Sequence, residues 1–253
     1  MKAMILAAGL GTRLRPLTDE RPKALVEIDG RTLLEITLSR LRSFGVSEVI
    51  INVHHFADLI VEYLRKNDNF GMCIEVSRED ELLDTGGGLK KAAWFFKDWG
   101  GHSGQEAPFI LHNVDVLSTI DLERMRRLHL QTQALATLAV QDRETSRYLL
   151  FDERQELCGR RAGHNHKQSP ELVRPAEGVQ AYAFSGMHVI SPRLLSLMTE
   201  DGAFSIITSY LRLAAQGEKI RVFRADEYYW RDLGKPENLL QAADDLKQKR
   251  ITP

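Results

Sequence analysis

Residues 6–18 read LAAGLGTRLRPLT, and residues 21–26 read RPKALV. An apolar run at residues 3–7 leads into the first segment and predicts a buried β-strand. Gly9 and Gly11 then allow a tight turn in which backbone N–H groups approach phosphate oxygens, because a Cβ would block that approach or a positive φ. The segment therefore predicts a phosphate-binding loop at the end of the first strand.

Short apolar runs alternate with amphipathic runs after this loop. Strand followed by helix, repeated, predicts βαβ units and a mostly parallel central sheet, which is a Rossmann-like three-layer α/β/α fold. Ligands of such sheets bind beyond the carboxyl ends of the strands. Predicted strands cover 3–7, 48–53, 72–76, 109–112, 135–140, 179–190 and 219–224; predicted helices cover 33–44, 57–66, 87–96, 121–131, 205–216 and 236–249. Residues 152–178 have no clear period and predict a hairpin and a long loop near the site.

Two familiar phosphate-binding designs do not fit the glycine loop. A P-loop needs Lys-Ser/Thr after its last glycine, and none is present. A Rossmann dinucleotide loop needs glycine or alanine where Leu14 stands. It also needs an acidic residue after the second strand, where residues 52–55 read NVHH. A dehydrogenase is therefore disfavoured.

Two aspartates are candidate metal ligands. Asp115 follows the predicted strand at 109–112, and Asp232 follows the predicted strand end at 228–230. Mg²⁺ in phosphate-transfer sites takes one or two carboxylates together with phosphate oxygens and waters, so this pair could share one ion. An aspartate at a strand end can also be only a helix N-cap or a turn residue.

The joined segments 6–18 and 21–26 resemble the signature of the sugar-phosphate nucleotidyltransferases. Further similarities follow in the order of that family and extend from residue 1 to about residue 243: DTGGG at 84–88, NVD at 113–115, FSGMHVI at 184–190 and WRDLG at 230–234. Val114 is a departure, because the family commonly has a small residue there. The resemblance implies transfer of a nucleoside monophosphate from an NTP to a sugar 1-phosphate, with Mg²⁺ as cofactor. An NDP-sugar and pyrophosphate would be the products.

This reaction needs charge more than it needs a base. The attacking phosphate oxygen is already an anion near neutral pH, so catalysis consists of positioning and charge neutralisation. Arg13 can grip the β- and γ-phosphates bidentately, and Lys23 supplies a point charge for the α-phosphate or the sugar phosphate. Taken singly, each could be ordinary solvated surface charge. The predicted catalytic residues are Arg13, Lys23 and Asp115.

The resemblance also implies residues that bind the metal and the nucleotide. The predicted metal ligands are Asp115 and Asp232. The predicted nucleotide-binding residues are Leu6, Ala7, Ala8, Gly9, Gly11, Thr12, Arg13, Lys23, Thr85, Gly86 and Asn113. The acceptor should meet the second half of the chain, and the predicted acceptor-binding residues are chosen for their nearness to the strand predicted at 179–190: Glu177, Gly178, Ser185 and Gly186.

Composition excludes several other classes. The net charge is -1, so no broad basic field indicates nucleic acid or an anionic membrane as a partner. The apolar run at the N-terminus is too short to span a bilayer and lacks a signal-peptide layout. Two cysteines without metal-type spacing favour a reduced, cytoplasmic protein. We expect one domain over residues 1–253, with a nucleotide-binding half at 1–145 and a sugar-phosphate-binding half at 146–253.

Three matters stay open at the level of sequence. The chain could instead be a cytidylyltransferase acting on phosphocholine or another non-sugar phosphate, or a catalytically silent subunit that senses a nucleotide sugar. Neither the sugar nor the base can be read from these residues. A monomer and a homodimer are both compatible with the sequence.

Overall fold

The computed structural model describes residues 1–96, 107–163 and 169–248. The strands are β1 (Lys2–Leu6), β2 (Glu27–Ile28), β3 (Arg31–Thr32), β4 (Glu48–Val53), β5 (Cys73–Arg78), β6 (Phe109–Asn113), β7 (Val116–Ser118), β8 (Ala136–Gln141), β9 (Arg147–Phe151), β10 (Leu157–Ala162), β11 (Glu171–Leu172), β12 (Gln180–Ile190), β13 (Ile220–Arg224) and β14 (Trp230–Asp232). The helices are α1 (Leu33–Ser43), α2 (Ala57–Lys66), α3 (Asp84–Lys91), α4 (Leu122–Thr132), α5 (Arg193–Leu197), α6 (Ile206–Ala215) and α7 (Pro236–Lys247).

One ten-stranded sheet organises the molecule and confirms the predicted Rossmann-like α/β class. Its main path is β11-β10-β9-β12-β6-β1-β4-β5, and β8 joins β12 on one side and β13 on the other. Strands β6, β1, β4 and β5 are parallel. Strand β12 is antiparallel to its neighbours β6, β8 and β9. The carboxyl ends of β1, β4 and β6 therefore meet at one rim, which is where the phosphate-binding loop begins.

Strand β1 is buried on both faces, which explains its continuous apolar sequence. Ile5 packs into the cluster that contains α1, whereas Met4 packs into the cluster that contains α6. Helix α1 begins at the predicted place because Thr32 caps it, accepting a hydrogen bond from the backbone N–H of Glu35 at 3.0 Å. Gly45 ends it with a φ of 75°. No helix in the described ranges is long and apolar enough to cross a membrane.

Two stretches differ from their predicted form. In the stretch 152–178, β10 forms a hairpin with β9. Strand β9 lies just before this stretch and was not predicted, because its mixed residues RYLLF have no clear strand pattern. Residues 164–168 of the stretch lie outside the described part. Helix α3 begins three residues before its predicted start at Gly87, because packing outweighs the low helix propensity of glycine. A Cβ on Gly86 would lie 2.3 Å from Phe204 Cε2, so this helix start requires glycine. Helix α3 ends at Lys91, and the rest of the predicted helix, Ala92–Phe96, is a 3-10 helix.

Two buried histidines predict a loss of stability in mild acid. Burial lowers the pKa of His129 to about 4 and the pKa of His188 to about 3. The unfolded chain has histidine pKa values of about 6.5, so it binds more protons than the folded chain as the pH falls below that value. Stability should therefore decrease as the pH falls through this window, by roughly 2 kcal/mol per histidine at about pH 5.

Urea unfolding at neutral pH and at about pH 5 measures this loss. The matched variant is His129→Asn, whose amide can keep a hydrogen bond with Thr137, the partner of His129 Nδ1 at 3.0 Å. The variant should lose roughly 2 kcal/mol less than the wild type on acidification. Equal losses in both proteins would contradict the assignment to His129.

Candidate active site

The glycine loop is held in a fixed turn. Gly11 has a φ of 66°, and its carbonyl accepts a hydrogen bond from Thr18 Oγ1 at 2.9 Å. A Cβ on Gly11 would lie 3.0 Å from Thr18 Cγ2. Residues Thr12–Leu14 then form one turn of 3-10 helix. The positive φ expected for this loop is thus present at Gly11, and it directs the chain toward Arg13.

A cavity of about 400 Å³ opens at the carboxyl ends of β1, β4 and β6. Eight of the predicted site residues line it: Leu6, Ala7, Ala8, Gly9, Lys23, Thr85, Asn113 and Asp115. Val114, noted as a departure, also lines it, as does Asp84. Sequence reasoning did not select Asn52, Leu82 or Ala203, which complete the lining.

Lys23 and Asp115 form an ion pair at the edge of this cavity. The Lys23 ammonium donates to Asp115 Oδ2. Lys23 is only 9% exposed, so it is not solvated surface charge. The central sheet holds Asp115 in position, because the backbone N–H of the preceding residue, Val114, donates to the carbonyl of Leu6 on β1 at 3.1 Å. A buried cation and a carboxylate therefore lie together at the rim.

A two-stranded ribbon brings Asp232 to Asp115. Strand β14 pairs with β7 so that Asp232 is opposite Val116, and the backbone N–H of Leu233 donates to the carbonyl of Asp115 at 2.8 Å. Asp232 Oδ1 accepts from the backbone N–H of Gly234 at 2.6 Å. Among the described residues no group of three or more His, Cys, Asp or Glu could hold a metal ion. Two carboxylates fit Mg²⁺ that takes its remaining ligands from phosphate and water.

Arg13 reaches the same place from the N-terminal loop. A Cβ on Gly234 would lie 2.5 Å from Arg13 Nη2 and 2.8 Å from Asp232 Oδ1. The guanidinium therefore lies across Gly234, beside Asp232. It forms no hydrogen bond or ion pair with any part of the chain that the structure describes, which leaves its donors available for a ligand anion.

A buried polar network supports the loop and was missed at the level of sequence. Asn52 Oδ1 accepts from the backbone N–H of Ala7 at 2.8 Å, and Asn52 Nδ2 donates to Glu79 Oε1 at 2.7 Å. Glu79 Oε2 in turn accepts from the backbone N–H of Leu83 at 3.1 Å. The network fixes the loop relative to the start of α3. The polar residue at the end of the apolar strand EVIINV was its only signal in the sequence.

Replacing Asn52 by leucine should weaken both folding and nucleotide binding. The change leaves the buried N–H of Ala7 and one oxygen of Glu79 without partners, which should lower the free energy of unfolding by about 3 kcal/mol. We expect the KM for the NTP to rise roughly tenfold, because a loop displaced by a fraction of an ångström positions phosphates poorly. Ser209→Ala is the control, since Ser209 is a buried polar residue on α6 that does not belong to this network. An unchanged KM in a destabilised Asn52→Leu variant would contradict the link between network and nucleotide.

The start of α3 is built by contacts with the segment before α6. Thr85 Oγ1 accepts from the backbone N–H of Ile206 at 3.0 Å, and the N–H of Gly86 donates to the carbonyl of Phe204 at 2.8 Å. The predicted nucleotide residue Gly86 thus uses its N–H inside the protein. The same segment brings Ala203 to the cavity.

The four predicted acceptor residues separate into two places. Gly186 has a φ of 75°, and a Cβ there would lie 3.0 Å from Asn113 Nδ2, so it adjoins the cavity. Ser185 is its neighbour and accepts from Trp230 Nε1 through its carbonyl at 2.7 Å. Glu177 and Gly178 precede the first residue of β12, and the Glu177 carbonyl there accepts a hydrogen bond from the N–H of Glu153 at 3.1 Å. The structure does not bring this second pair to the cavity.

Similarity to known proteins extends over the whole fold. A family model described as Nucleotidyl transferase matches residues 2–249. The chain is 33% identical to N-acetylmuramate alpha-1-phosphate uridylyltransferase of Caulobacter vibrioides, over 97% of each chain. It is 28% identical to mannose-1-phosphate guanyltransferase of Candida albicans, over 95% of this chain and 63% of that one, so it spans less than two thirds of this longer relative.

Solved structures share the fold at low identity. HddC from Yersinia pseudotuberculosis, complexed with GMP-PN, superposes with a TM-score of 0.74 at 21% identity and covers 97% of this chain and 99% of its own. A UDP-glucose pyrophosphorylase complexed with UDP-glucose gives a TM-score of 0.77 at 18% identity, over 98% of this chain and 99% of its own. At these identities the structures support the fold alone.

Proposed function

The chain belongs to the nucleotidyl transferase family, and from that premise we propose that it transfers a nucleoside monophosphate from an NTP to a sugar 1-phosphate. The products are an NDP-sugar and pyrophosphate. One observation carries the proposal for this particular chain: Lys23, Asp115, Arg13 and Asp232 come from four separate segments and converge at one rim of the sheet. Chance surface charge would not produce that convergence.

The chemistry follows from this arrangement. An oxygen of the sugar phosphate attacks the α-phosphorus of the NTP, and the bond from that phosphorus to the oxygen bridging to the β-phosphorus breaks. Lys23 would neutralise charge where the two phosphates meet, and Arg13 would hold the leaving pyrophosphate by its guanidinium fork. Asp115 and Asp232 would hold Mg²⁺, which supplies further neutralisation of the phosphate oxygens.

The two halves of the chain take different substrates in this proposal. The nucleotide occupies the cavity formed by residues 1–145, with its base between the loop after β1 and the start of α3. The acceptor approaches from residues 146–253, past Ser185 and Gly186. Both halves contribute strands to one sheet, so we treat them as one domain. We place the protein in the cytoplasm because Cys73 and Cys158 are free thiols.

A panel of acceptors and nucleotides tests the proposal by the release of pyrophosphate. The acceptors are N-acetylmuramate, N-acetylglucosamine, mannose and glucose 1-phosphates together with phosphocholine, each with ATP, GTP, CTP and UTP. We expect N-acetylmuramate 1-phosphate with UTP to react fastest, since the relative that is 33% identical over 97% of its length is named as the uridylyltransferase of that sugar phosphate. Turnover of phosphocholine with CTP alone would favour the non-sugar alternative. Nucleotide binding without any pyrophosphate release would favour the silent subunit.

Removal of divalent metal should abolish turnover. EDTA should reduce pyrophosphate release to background, and Mg²⁺ in excess should restore it, because without the ion no metal charge offsets the repulsion between the carboxylates of Asp115 and Asp232 and the phosphates. The same titration without EDTA is the control. Full activity in EDTA would refute the metal role of both aspartates while leaving the rest of the proposal intact.

A further inference from the structure

In the part of the chain that the structure describes, buried polar atoms without a hydrogen-bond partner lie on three residues that contact Trp230 or Tyr148. Within the described ranges, eight buried side-chain nitrogen and oxygen atoms have no hydrogen-bond partner, and four of them belong to Arg143, Arg161 and Ser185. A buried donor without a partner costs about 1–3 kcal/mol, so such a group of atoms indicates a site whose partner is a ligand.

Arg143 lies between Trp230 and strand β12. Its Cζ is 3.7 Å from the centre of the Trp230 ring, and its Nη2 donates to the carbonyl of Phe184 at 2.8 Å. Its Nε is buried without a partner among the residues described. Burial lowers the pKa of Arg143, and the nearby Asp232 opposes that shift. This guanidinium is therefore positioned and partly desolvated beside a proposed metal ligand.

Arg161 lies on β10, which β9 separates from β12. It lies opposite Tyr148 in the β9–β10 pair, and its Cζ is 4.9 Å from the Tyr148 ring centre. Tyr148 is opposite Ala183 on β12, and Ala183 is opposite Gln141 on β8. Paired residues on neighbouring strands point to the same face of a sheet, so Arg161 lies on the same face as Gln141. Gln141 is the last residue of β8, and Arg143 follows it by two residues.

Among the described residues, neither arginine has a carboxylate partner. No salt bridge involves Arg143 or Arg161 within residues 1–96, 107–163 and 169–248, whereas the acids Asp152 and Glu156 in the same region are paired with other arginines. Two partly buried cations on one face, with the Tyr148 ring near both, therefore suit an anionic ligand.

We propose that these two arginines bind the acceptor, Arg143 through its 1-phosphate and Arg161 through a second anionic group on the sugar. The acceptor is then an acidic sugar 1-phosphate. This inference rests on the proposed function and narrows it to a class of substrate. Arg143 takes the 1-phosphate because it lies beside Asp232, where that phosphate must meet the α-phosphorus. Arg161 is separated from that point by Tyr148, so it meets another part of the sugar.

Two acceptors that differ only in a carboxylate provide the test. N-acetylmuramate 1-phosphate carries a lactyl ether that N-acetylglucosamine 1-phosphate lacks. The wild type should favour the acidic acceptor at least tenfold in kcat/KM. Arg161→Gln should remove that preference by raising the KM for the acidic acceptor alone. Arg143→Gln should raise the KM for both acceptors about tenfold and leave the KM for the NTP unchanged.

Arg221→Gln is the matched control, because Arg221 also has a buried Nε without a partner in the described residues but donates to Arg154 and Glu156 on another part of the sheet. It should leave both KM values unchanged. Arg143→Lys and Arg161→Lys should recover part of the affinity lost in the glutamine variants, which a purely structural role would not predict.

Several results would overturn the inference. A wild type without preference for the acidic acceptor, or an Arg161→Gln variant that affects both acceptors equally, refutes the role of Arg161. An Arg143→Gln variant whose KM for the NTP rises as much as that for the acceptor refutes the role of Arg143. In each case the wild type still releases pyrophosphate, so the proposed function stands; it fails only if no acceptor reacts.

Discussion

Asp115→Asn should lower kcat about a thousandfold, which corresponds to roughly 4 kcal/mol of lost transition-state stabilisation. The side chain keeps its size and loses its charge. That charge has two proposed duties, because the carboxylate pairs with the buried Lys23 and would hold Mg²⁺ together with Asp232. Loss of this charge changes the electrostatic field at the reacting phosphates, and phosphoryl transfer depends mainly on electrostatic stabilisation of its transition state.

Stability must be separated from catalysis in this variant. Lys23 is 9% exposed, and removal of its partner leaves a nearly buried charge uncompensated, so we expect the free energy of unfolding to fall by about 3 kcal/mol. Turnover is therefore measured at saturating substrate and Mg²⁺, at a temperature where circular dichroism shows the variant folded. The Kd of the NTP measured without Mg²⁺ should change less than threefold, because the glycine loop is untouched and the metal role of Asp115 does not enter that measurement.

The control for Asp115 is Asp19→Asn. Asp19 forms an ion pair with Arg15 at 3.3 Å on the exposed part of the N-terminal segment, so its charge is also paired with a cation but lies in solvent. Its loss should change kcat by less than twofold. A kcat of Asp115→Asn within tenfold of the wild type would refute the catalytic assignment.

The meeting of the glycine loop with Asp115 could be predicted from the sequence. Alternating strand and helix patterns require parallel strands, and parallel strands bring their carboxyl ends to one rim. The structure pairs Leu6 with Asn113, so the residues that follow β1 and β6 are neighbours, as that rule predicts. Likewise Gly11 has the positive φ that its position in the loop required.

The supporting contacts could not be predicted in this way. Asn52, Glu79 and the arginine pair are ordinary polar residues in sequence, and their roles depend on which distant groups they meet. Strand β9 was missed because its residues become a strand through pairing with β10 and β12, and tertiary pairing outweighs local propensity. Glu177 and Gly178 were selected by nearness in sequence to β12, but a strand of eleven residues separates its two ends in space.

Gly234→Ala should lower kcat/KM about a hundredfold with little change in stability. Gly234 has no positive φ, so alanine fits its backbone. The added Cβ would lie 2.5 Å from Arg13 Nη2 and 2.8 Å from Asp232 Oδ1. Both atoms are ends of side chains that can move, so the fold tolerates the methyl group while two groups at the proposed site are displaced. A displacement of about 1 Å near the reacting phosphates can cost a hundredfold in rate.

A double-mutant cycle with Arg13→Ala tests whether the glycine acts through Arg13. If the methyl group acts mainly by displacing the guanidinium, then Gly234→Ala should cost less than about tenfold once Arg13 has been truncated, because the displaced group is absent. The residual loss would be the contribution of Asp232. Thermal unfolding of the single variants should fall within a few degrees of the wild type. Full additivity of the two losses would show that Gly234 does not act through Arg13, and a Gly234→Ala variant with normal turnover would show that neither side chain needs its observed position.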